Sequence, residues 1–300
     1  MAGLFAISID PGKYQGNFLK DLFWGTFYQQ HLGEERAGFS TFNQPRIQRR
    51  THGGLLRSFS LKRLKRLKGT EGIGYCGSAR EPYLCDSKLG QLSFCFSGNI
   101  TNLKELVHRF KRLGHTFERG DDIEIISKLL VQGRDVTDGL QTMVSEIKGD
   151  YSLLVLTKEG IYAMRGPEGH WPLVIGEKEG AAIVASESGG FYNLGFKLVR
   201  DLEPGEIVLL KDGAWETKGK IAGKKIQICS FLWVYTALPN SVFEGVPVSL
   251  VRKKLGAALA RRDIERGFIP DIVTPIPDSG RFHAIGYKEE FDRQKNEGKI

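Results

Sequence analysis

Apolar residues recur along this chain with two different spacings, and the changes of spacing divide it into elements. Residues 4–7 form a short apolar run of strand type, and residues 18–31 carry apolar side chains at helical spacing up to Gly33. Residues 37–41 read as a strand followed by a polar connection. Residues 61–68 place a leucine at every third position, which draws one apolar stripe along a helix and leaves the lysines and arginines on its other faces. Residues 73–75 and 92–96 read as strands, the second closed by a turn at Ser97-Gly98-Asn99. Residues 102–113 predict a helix with Asn102 as its N-cap. Residues 121–132 predict another, whose two leading acids suit the positive end of the helix dipole.

Short strands separated by Gly- and Pro-containing turns follow at residues 151–157, 161–165, 172–175 and 181–186. Residues 207–210, the pair Gly213-Ala214 and residues 226–229 add an edge. Sheets interrupted by paired helices predict an α+β fold, with packed sheets and helices outside them. Beyond Cys229 the texture changes. Residues 248–266 predict a long amphipathic helix, and residues 271–276 a buried-type strand ending in Pro277-Asp278-Ser279-Gly280, the start of an α/β unit. Residues 288–300 read as a charged tail, too short to complete such a domain. The expected division is residues 1–228 and residues 229–300, the latter a linker helix and an incomplete segment.

Composition narrows the class. The chain has 300 residues, 41% hydrophobic and 26% charged, as an ordinary soluble protein does. No apolar run approaches the ~20 residues that cross a bilayer, and no basic-then-apolar leader opens the chain, so neither a membrane nor secretion is expected. Four cysteines (Cys76, Cys85, Cys95 and Cys229) lack C-x-x-C spacing, which favours a reduced, cytoplasmic protein with no metal and no cofactor. Net charge is +8, with much of the excess between Arg46 and Lys68. The simple reading of that excess is a solvated helix face; the alternative is a basic module for polyanions. No interleaved aromatics or nucleic-acid motif accompany it, so nucleic acid is not expected as a partner.

Nine stretches, in order, resemble the amidophosphoribosyltransferase family, which carries out the first committed step of purine synthesis. Leu22-Phe23-Trp24-Gly25 through Gln30-His31-Leu32-Gly33-Glu34-Glu35-Arg36-Ala37-Gly38 is similar to its Q-H-R-G-Q-E-S-A-G. Gly72-Ile73-Gly74 resembles G-I-G-H-V-R-Y, Ser97-Gly98-Asn99-Ile100-Thr101-Asn102 resembles N-G-N-L-x-N, and Asp121-Asp122-Ile123-Glu124 stands at S-D-T-E. Arg165-Gly166-Pro167-Glu168-Gly169-His170-Trp171-Pro172-Leu173 is similar to R-D-P-x-G-x-R-P-L. Ala185-Ser186-Glu187-Ser188, Glu203-Pro204-Gly205-Glu206, Val234-Tyr235-Thr236-Ala237-Leu238-Pro239-Asn240-Ser241 and Pro277-Asp278-Ser279-Gly280-Arg281 complete the series. The resemblance implies an N-terminal-nucleophile hydrolase fold, a four-layer αββα sandwich, followed by the start of an α/β phosphoribosyltransferase-type domain.

The resemblance also implies which positions should carry glutaminase chemistry. A family member uses an N-terminal cysteine as nucleophile, with its own α-amino group as base. An arginine grips the substrate carboxylate with a fork of donors, an Asn-Gly pair forms the oxyanion hole, and an aspartate binds the α-amino group. Here Ala2 stands at the nucleophile, Gly77 at the arginine, and Ser97 and Gly98 at the oxyanion hole, while Asp122 is kept. The Asp and second Arg of R-D-P-x-G-x-R-P-L have become Gly166 and Trp171. Cys76 as a substitute nucleophile and Arg80 as a substitute clamp are the rescue candidates, both weaker than a buried thiol and a surface arginine. His31 is expected to be a packed structural histidine, and His283 to be exposed.

These replacements favour a glutaminase site without activity and a non-catalytic binding or regulatory subunit. Its expected partners are an amino-acid-like ligand, and either a chain carrying a phosphoribosyltransferase portion or a second copy. The alternatives are part of a split or ammonia-dependent transferase, and the polyanion module.

Overall fold

Glycines decide how the first helix meets the first sheet. The computed structural model describes residues 2–59 and 61–298. Strand β1 (Gly3–Ile9) leads to helix α1 (Phe18–Phe27), which Asn17 caps by accepting from Lys20 N at 3.0 Å. Strands β2 (Arg36–Asn43) and β3 (Arg46–Gly53), the short helix α2 (Leu61–Leu64) and strand β4 (Glu71–Gly77) follow. On β4, Gly72 and Gly74 face α1; a Cβ at Gly74 would overlap Thr26 Oγ1, and one at Gly72 would press on Leu22 and Phe18 at 2.9 Å. A Cβ at Gly25 of α1 would in turn overlap the Phe5 ring. Bare backbone on both sides lets the helix sit closer than side chains allow.

The chain continues through β5 (Tyr83–Ser87), β6 (Gly90–Ile100), α3 (Leu103–Arg112), α4 (Asp122–Leu130) and α5 (Val136–Glu146). Strands β7 (Gly149–Thr157), β8 (Gly160–Arg165), β9 (Val174–Lys178), β10 (Ala181–Ala185), β11 (Lys197–Asp201), β12 (Glu206–Lys211) and β13 (Ala214–Lys220) come next. They build two antiparallel sheets, ordered β11-β9-β10-β1-β4-β2-β3 and β13-β12-β8-β7-β6-β5. Period-two alternation sends Leu4, Ala6, Ile73 and Tyr75 of the first sheet, and Cys95, Leu154, Leu156 and Val208 of the second, into one shared core. The opposite face of the second sheet, with Phe94, Phe96, Tyr151 and Leu153, is covered by apolar residues of α3, α4 and α5. The layers are therefore helix, sheet, sheet, helices, the αββα sandwich.

These elements form one unit (Met1–Ser186 with Gly190–Ile228), and Glu187–Gly189 with Cys229–Ile300 form a second. The second unit holds a π-helical turn (Leu232–Thr236), the hairpin β14 (Val242–Phe243) and β15 (Val246–Pro247), and helices α6 (Val248–Glu265) and α7 (Gly280–Asn296). Buried Arg252 donates to the carbonyls of Trp233 (2.8 Å), Tyr235 (3.0 Å) and Ala237 (2.8 Å), which satisfies the end of the π-turn. Helices α6 and α7 cross at Gly256 and Gly286, where a Cβ would overlap the facing carbonyl of His283 or Lys253.

Several sequence expectations are corrected. Residues 46–53 are a strand rather than a polar connection, because β3 pairs with β2 along its whole length. Strand β6 runs through Ser97-Gly98-Asn99 to Ile100, so no turn closes it there. Asn102 makes no capping bond; its amide joins Glu146 O (2.9 Å) and accepts from Lys148 N (2.9 Å) instead. Residues 226–229 form no strand, and residues 271–276 are neither a strand nor buried, with Ile272 83% and Ile276 84% exposed. The charged tail is mostly helical, as α7, and its residues 299–300 lie outside the described residues. The basic helix ends at Leu64; Leu64 and Leu67 are buried as the stripe requires, while the Leu61 side chain lies outside the description. No helix among the described residues is long and apolar enough to cross a membrane.

Gly74→Ala is expected to cost about 1–3 kcal/mol by overpacking the contact of α1 with the sheet. Urea denaturation should show a lower midpoint with an unchanged slope. A wild-type midpoint would mean that α1 does not depend on this close approach.

Candidate functional site

The start of β1 and the ends of β4 and β6 open onto one cleft of about 120 Å³, lined by Ala2, Tyr75, Ser78, Ala79, Glu81, Phe96, Ser97, Gly98, Asp121, Asp122 and Ile123. Strand parity explains who is there. Ala2 shares the inter-sheet face with Leu4 and Ala6, and Tyr75 shares it with Ile73. Cys76, one residue on, faces the other way, with its Sγ 3.6 Å from Thr26 O under α1. Burial pushes its thiol up to about 12, so a thiolate does not form there near neutral pH. The structure therefore brings Ala2, Ser97, Gly98 and Asp122 together and keeps Cys76 out.

Ser97 Oγ accepts from Ala2 N at 3.0 Å, which ties the first described residue to β6. Leu4 N donates to Ser186 Oγ at 3.0 Å and fixes the next outward amide of β1. At Gly77, a Cβ would overlap Tyr75 Oη and come within 2.9 Å of the Ala2 methyl. The Tyr75 phenol thus stands beside the position where the family resemblance expects an arginine, held by a bond from Ala79 N at 3.1 Å. Sequence reasoning passed over Tyr75, although the bare glycine two residues later was the visible sign of a large neighbour.

Sequence reasoning also missed two carboxylates. Glu81 is 2% exposed, and its Oε2 accepts from Phe96 N at 2.7 Å. Burial pushes its carboxyl well above the ordinary range, the Phe96 amide offsets part of this, and Asp121 and Asp122 add to it. Glu124, the last residue of the S-D-T-E-like stretch, accepts from the backbone amides of Glu118 (3.1 Å), Arg119 (2.8 Å) and Gly120 (2.9 Å). Burial opposes its charge, but those three amides hold its carboxyl below the usual range. It therefore shapes the loop that presents Asp122 at the start of α4.

Asp122 has a buried Oδ1 with no hydrogen-bond partner among the described residues. Burial raises its carboxyl, the charge of Asp121 adds to that, and the Ile100 amide lowers it. Asp121 caps α4 through Glu124 N (3.2 Å) and pairs with Arg119. Three carboxyls thus border a small cleft whose lining contains no basic side chain. Such a cleft favours a cation over an anion.

The remaining candidates lie elsewhere. Arg80 is exposed and outside the lining. His31 is exposed in the 3₁₀ turn Gln30–Leu32, so it is not packed as expected. His283 is half-buried rather than exposed, with Nδ1 3.1 Å from Ser279 O. Gly166 lies against Asp150: a Cβ there would overlap Asp150 Oδ1, while Oδ2 accepts from His170 N. An aspartate at position 150 therefore fills the room that a side chain at 166 would need. No group of three His, Cys, Asp or Glu among the described residues could hold a metal ion.

With this geometry in view, comparison with known proteins is informative. Residues 75–193 match a family model described as a glutamine amidotransferase domain. An amidophosphoribosyltransferase of Methanocaldococcus jannaschii is 32% identical over 100% of this chain and 69% of its own length. One of Methanothermobacter thermautotrophicus is 33% identical over 93% of this chain and 61% of its own. The solved glutamine phosphoribosylpyrophosphate amidotransferase of B. subtilis, in complex with ADP and GMP, is 28% identical and superimposes with a TM-score of 0.88, covering 97% of this chain and 64% of that one. The chain thus spans about two thirds of the length of these relatives.

Glu81 makes the cleft pH-sensitive. A carboxyl whose folded pKa is raised stabilises most below its unfolded value, here 4.5, and that contribution is lost as pH climbs through the folded value. Glu81→Gln removes the loss and keeps an oxygen for Phe96 N. Its melting temperature should exceed that of the parent by on the order of a few °C at pH 8, with the gap closing toward pH 5. A gap that does not vary with pH would show that Glu81 carries no such burden.

Proposed function

The chain belongs to the amidophosphoribosyltransferase family, and from that premise we propose that it is a non-catalytic member whose glutamine cleft no longer hydrolyses glutamine. One observation carries this reading: a methyl group, Ala2, occupies the wall of the cleft at the start of β1. A methyl cannot form the acyl intermediate that covalent amide hydrolysis needs. The neighbouring thiol of Cys76 is turned under α1 and held protonated, so it offers no substitute.

The rest of the cleft supports the same reading. A glutamine would bring a carboxylate toward Glu81, Asp121 and Asp122, with Gly77 and the Tyr75 phenol where a guanidinium fork would be needed. Removing one oxyanion-hole donor costs ~10²–10³ in rate, and Ser97 is too short to reach as an amide side chain would. About 120 Å³ is also below the ~300–1,000 Å³ of typical ligand pockets. The unpartnered Asp122 Oδ1 suits an ammonium group. The small ligand we propose is therefore an amine, in place of the amino-acid-like molecule the sequence suggested. In this reading the protein serves as a binding or regulatory subunit connected with purine synthesis.

A second reading is favoured by the second unit. Leu255, Leu259, Phe268, Ile272 and Ile276 are exposed there and border a cleft of about 530 Å³. An apolar surface of this kind marks an interaction site. It suits the remaining portion of an α/β transferase fold, which would make the protein one part of a split or ammonia-dependent enzyme.

Incubation with glutamine should release no ammonia above the buffer, and a diazoketone analogue of glutamine should leave the intact mass unchanged. Ala2→Cys alone should not restore turnover, because Gly77 and Tyr75 leave the carboxylate unclamped. A covalent adduct on the parent chain, at any residue, would end the first reading. Ammonia-dependent formation of phosphoribosylamine after addition of a transferase fragment would favour the second.

A further inference from the structure

Between Glu35 and Glu71 the chain has no acidic residue, yet it has ten cations: Arg36, Arg46, Arg49, Arg50, Arg57, Lys62, Arg63, Lys65, Arg66 and Lys68. Against a chain total of +8, these ten leave all other residues together at −2. The excess charge of the protein therefore belongs to this one segment.

The fold keeps the segment together on one edge. Strand β3 is the outermost strand of its sheet. Arg63 Nη2 reaches Thr51 O (3.4 Å) and Lys68 N donates to Gln48 Oε1 (3.0 Å), so residues 63–68 run beside β3 as a strap. Leu64 and Leu67 bury themselves in the fold, and Lys62, Arg63, Lys65, Arg66 and Lys68 are exposed. Where arginines of the segment do make bonds, they make them to carbonyls, which orient a guanidinium without neutralising it: Arg49 to Pro82 O (3.3 Å) and Arg50 to Arg49 O (2.7 Å). No ion pair joins any of the ten to a carboxylate among the described residues.

A second cationic group continues the edge. Arg119 Nη1 donates to Arg80 O at 3.1 Å, beside the Pro82 carbonyl that holds Arg49. Burial and then the charges of Arg80 and Arg119 push the Arg49 guanidinium down, while Glu118 and Tyr83 act against this. Arg119 is itself paired with Asp121.

We propose that this edge binds nucleic acid through its phosphate backbone, without reading base sequence. A row of exposed cations with no paired acids is the footprint of phosphate contacts. Phe59, which precedes the strap, is buried against Phe39, so it offers no stacking platform for bases. Leu56, Leu64 and Leu67 are buried in the fold, so among the described side chains these leucines offer no apolar face to a lipid surface. The amide of Ile47 is already taken by Gln91 Oε1 (2.9 Å), and the strap covers part of β3, so the addition of an acidic peptide strand is disfavoured. The proposal departs from the sequence-based expectation of no nucleic acid, which rested on the lack of interleaved aromatics and of a nucleic-acid motif.

Fluorescence anisotropy of the full chain with a labelled 20-base-pair duplex and a 20-nucleotide RNA tests the proposal between 50 and 200 mM KCl. Binding should be equal for scrambled sequences. The five exposed cations of residues 62–68, taken alone, should give a duplex salt slope of about −4 to −5, at ~−0.9 per phosphate. Lys62→Gln/Lys65→Gln/Arg66→Gln/Lys68→Gln should lose at least tenfold in affinity and flatten the slope, with an unchanged melting temperature confirming the fold. The matched variant Lys254→Gln/Arg281→Gln/Lys288→Gln/Lys295→Gln should keep parental affinity. No binding at 50 mM KCl, equal loss in both variants, or equal affinity for polyglutamate of the same charge would each overturn the proposal.

Discussion

The close seating of α1, with its Gly25 over the Phe5 ring of β1 and against the bare backbone of β4, is the constraint on which the candidate site depends. Gly72, Gly74 and Gly25 remove the side chains that would hold helix and sheet apart. Because strand positions alternate, glycines on the helix face commit Ile73 and Tyr75 to the face between the sheets. The same parity sends Ala2 inward and Cys76 under the helix. A single packing requirement, set outside the cleft, thus decides which side chains border it and which sulfur does not.

Electrostatics then gives the cleft its character. Glu124 spends its charge on three backbone amides and builds a loop. Glu81 accepts from Phe96 N of β6 through one oxygen. Asp121 is shared between a helix cap and Arg119, which leaves Asp122 as the carboxylate with an unengaged oxygen. Negative charge collects inside the cleft while positive charge collects along the β3 edge. The two regions meet at Arg119, which bonds on one side to Arg80 O and on the other to Asp121.

Much of this was legible in the sequence, and what was not has physical causes. Packed sheets with helices outside followed from short strands around paired helices; the αββα order was implied by the family resemblance, whose ordered motifs also located Ala2, Ser97, Gly98 and Asp122, which the fold does bring together. Strand β3 was hidden because polar residues fill both of its faces, with Ile47 its one large apolar side chain, so no period of two shows. Asn102 has the right side chain for a cap but is claimed by Glu146 and Lys148, partners 44 and 46 residues away that local pattern cannot see. Residues 271–276 have the composition of a buried strand, yet a strand needs neighbours to bury it, and none pairs with it here. Tyr75 left one trace, the bare Gly77 two residues later, whereas Glu81 left none, because its place depends on the burial of its carboxyl against Phe96 N.

The Tyr75 phenol beside Gly77 limits what can stand at either position. An arginine arriving at 77 would collide with that ring before it could grip anything, and a cysteine arriving at 2 would find no clamp to orient its substrate. The two positions are thus sterically tied: a larger residue at 77 requires a smaller one at 75.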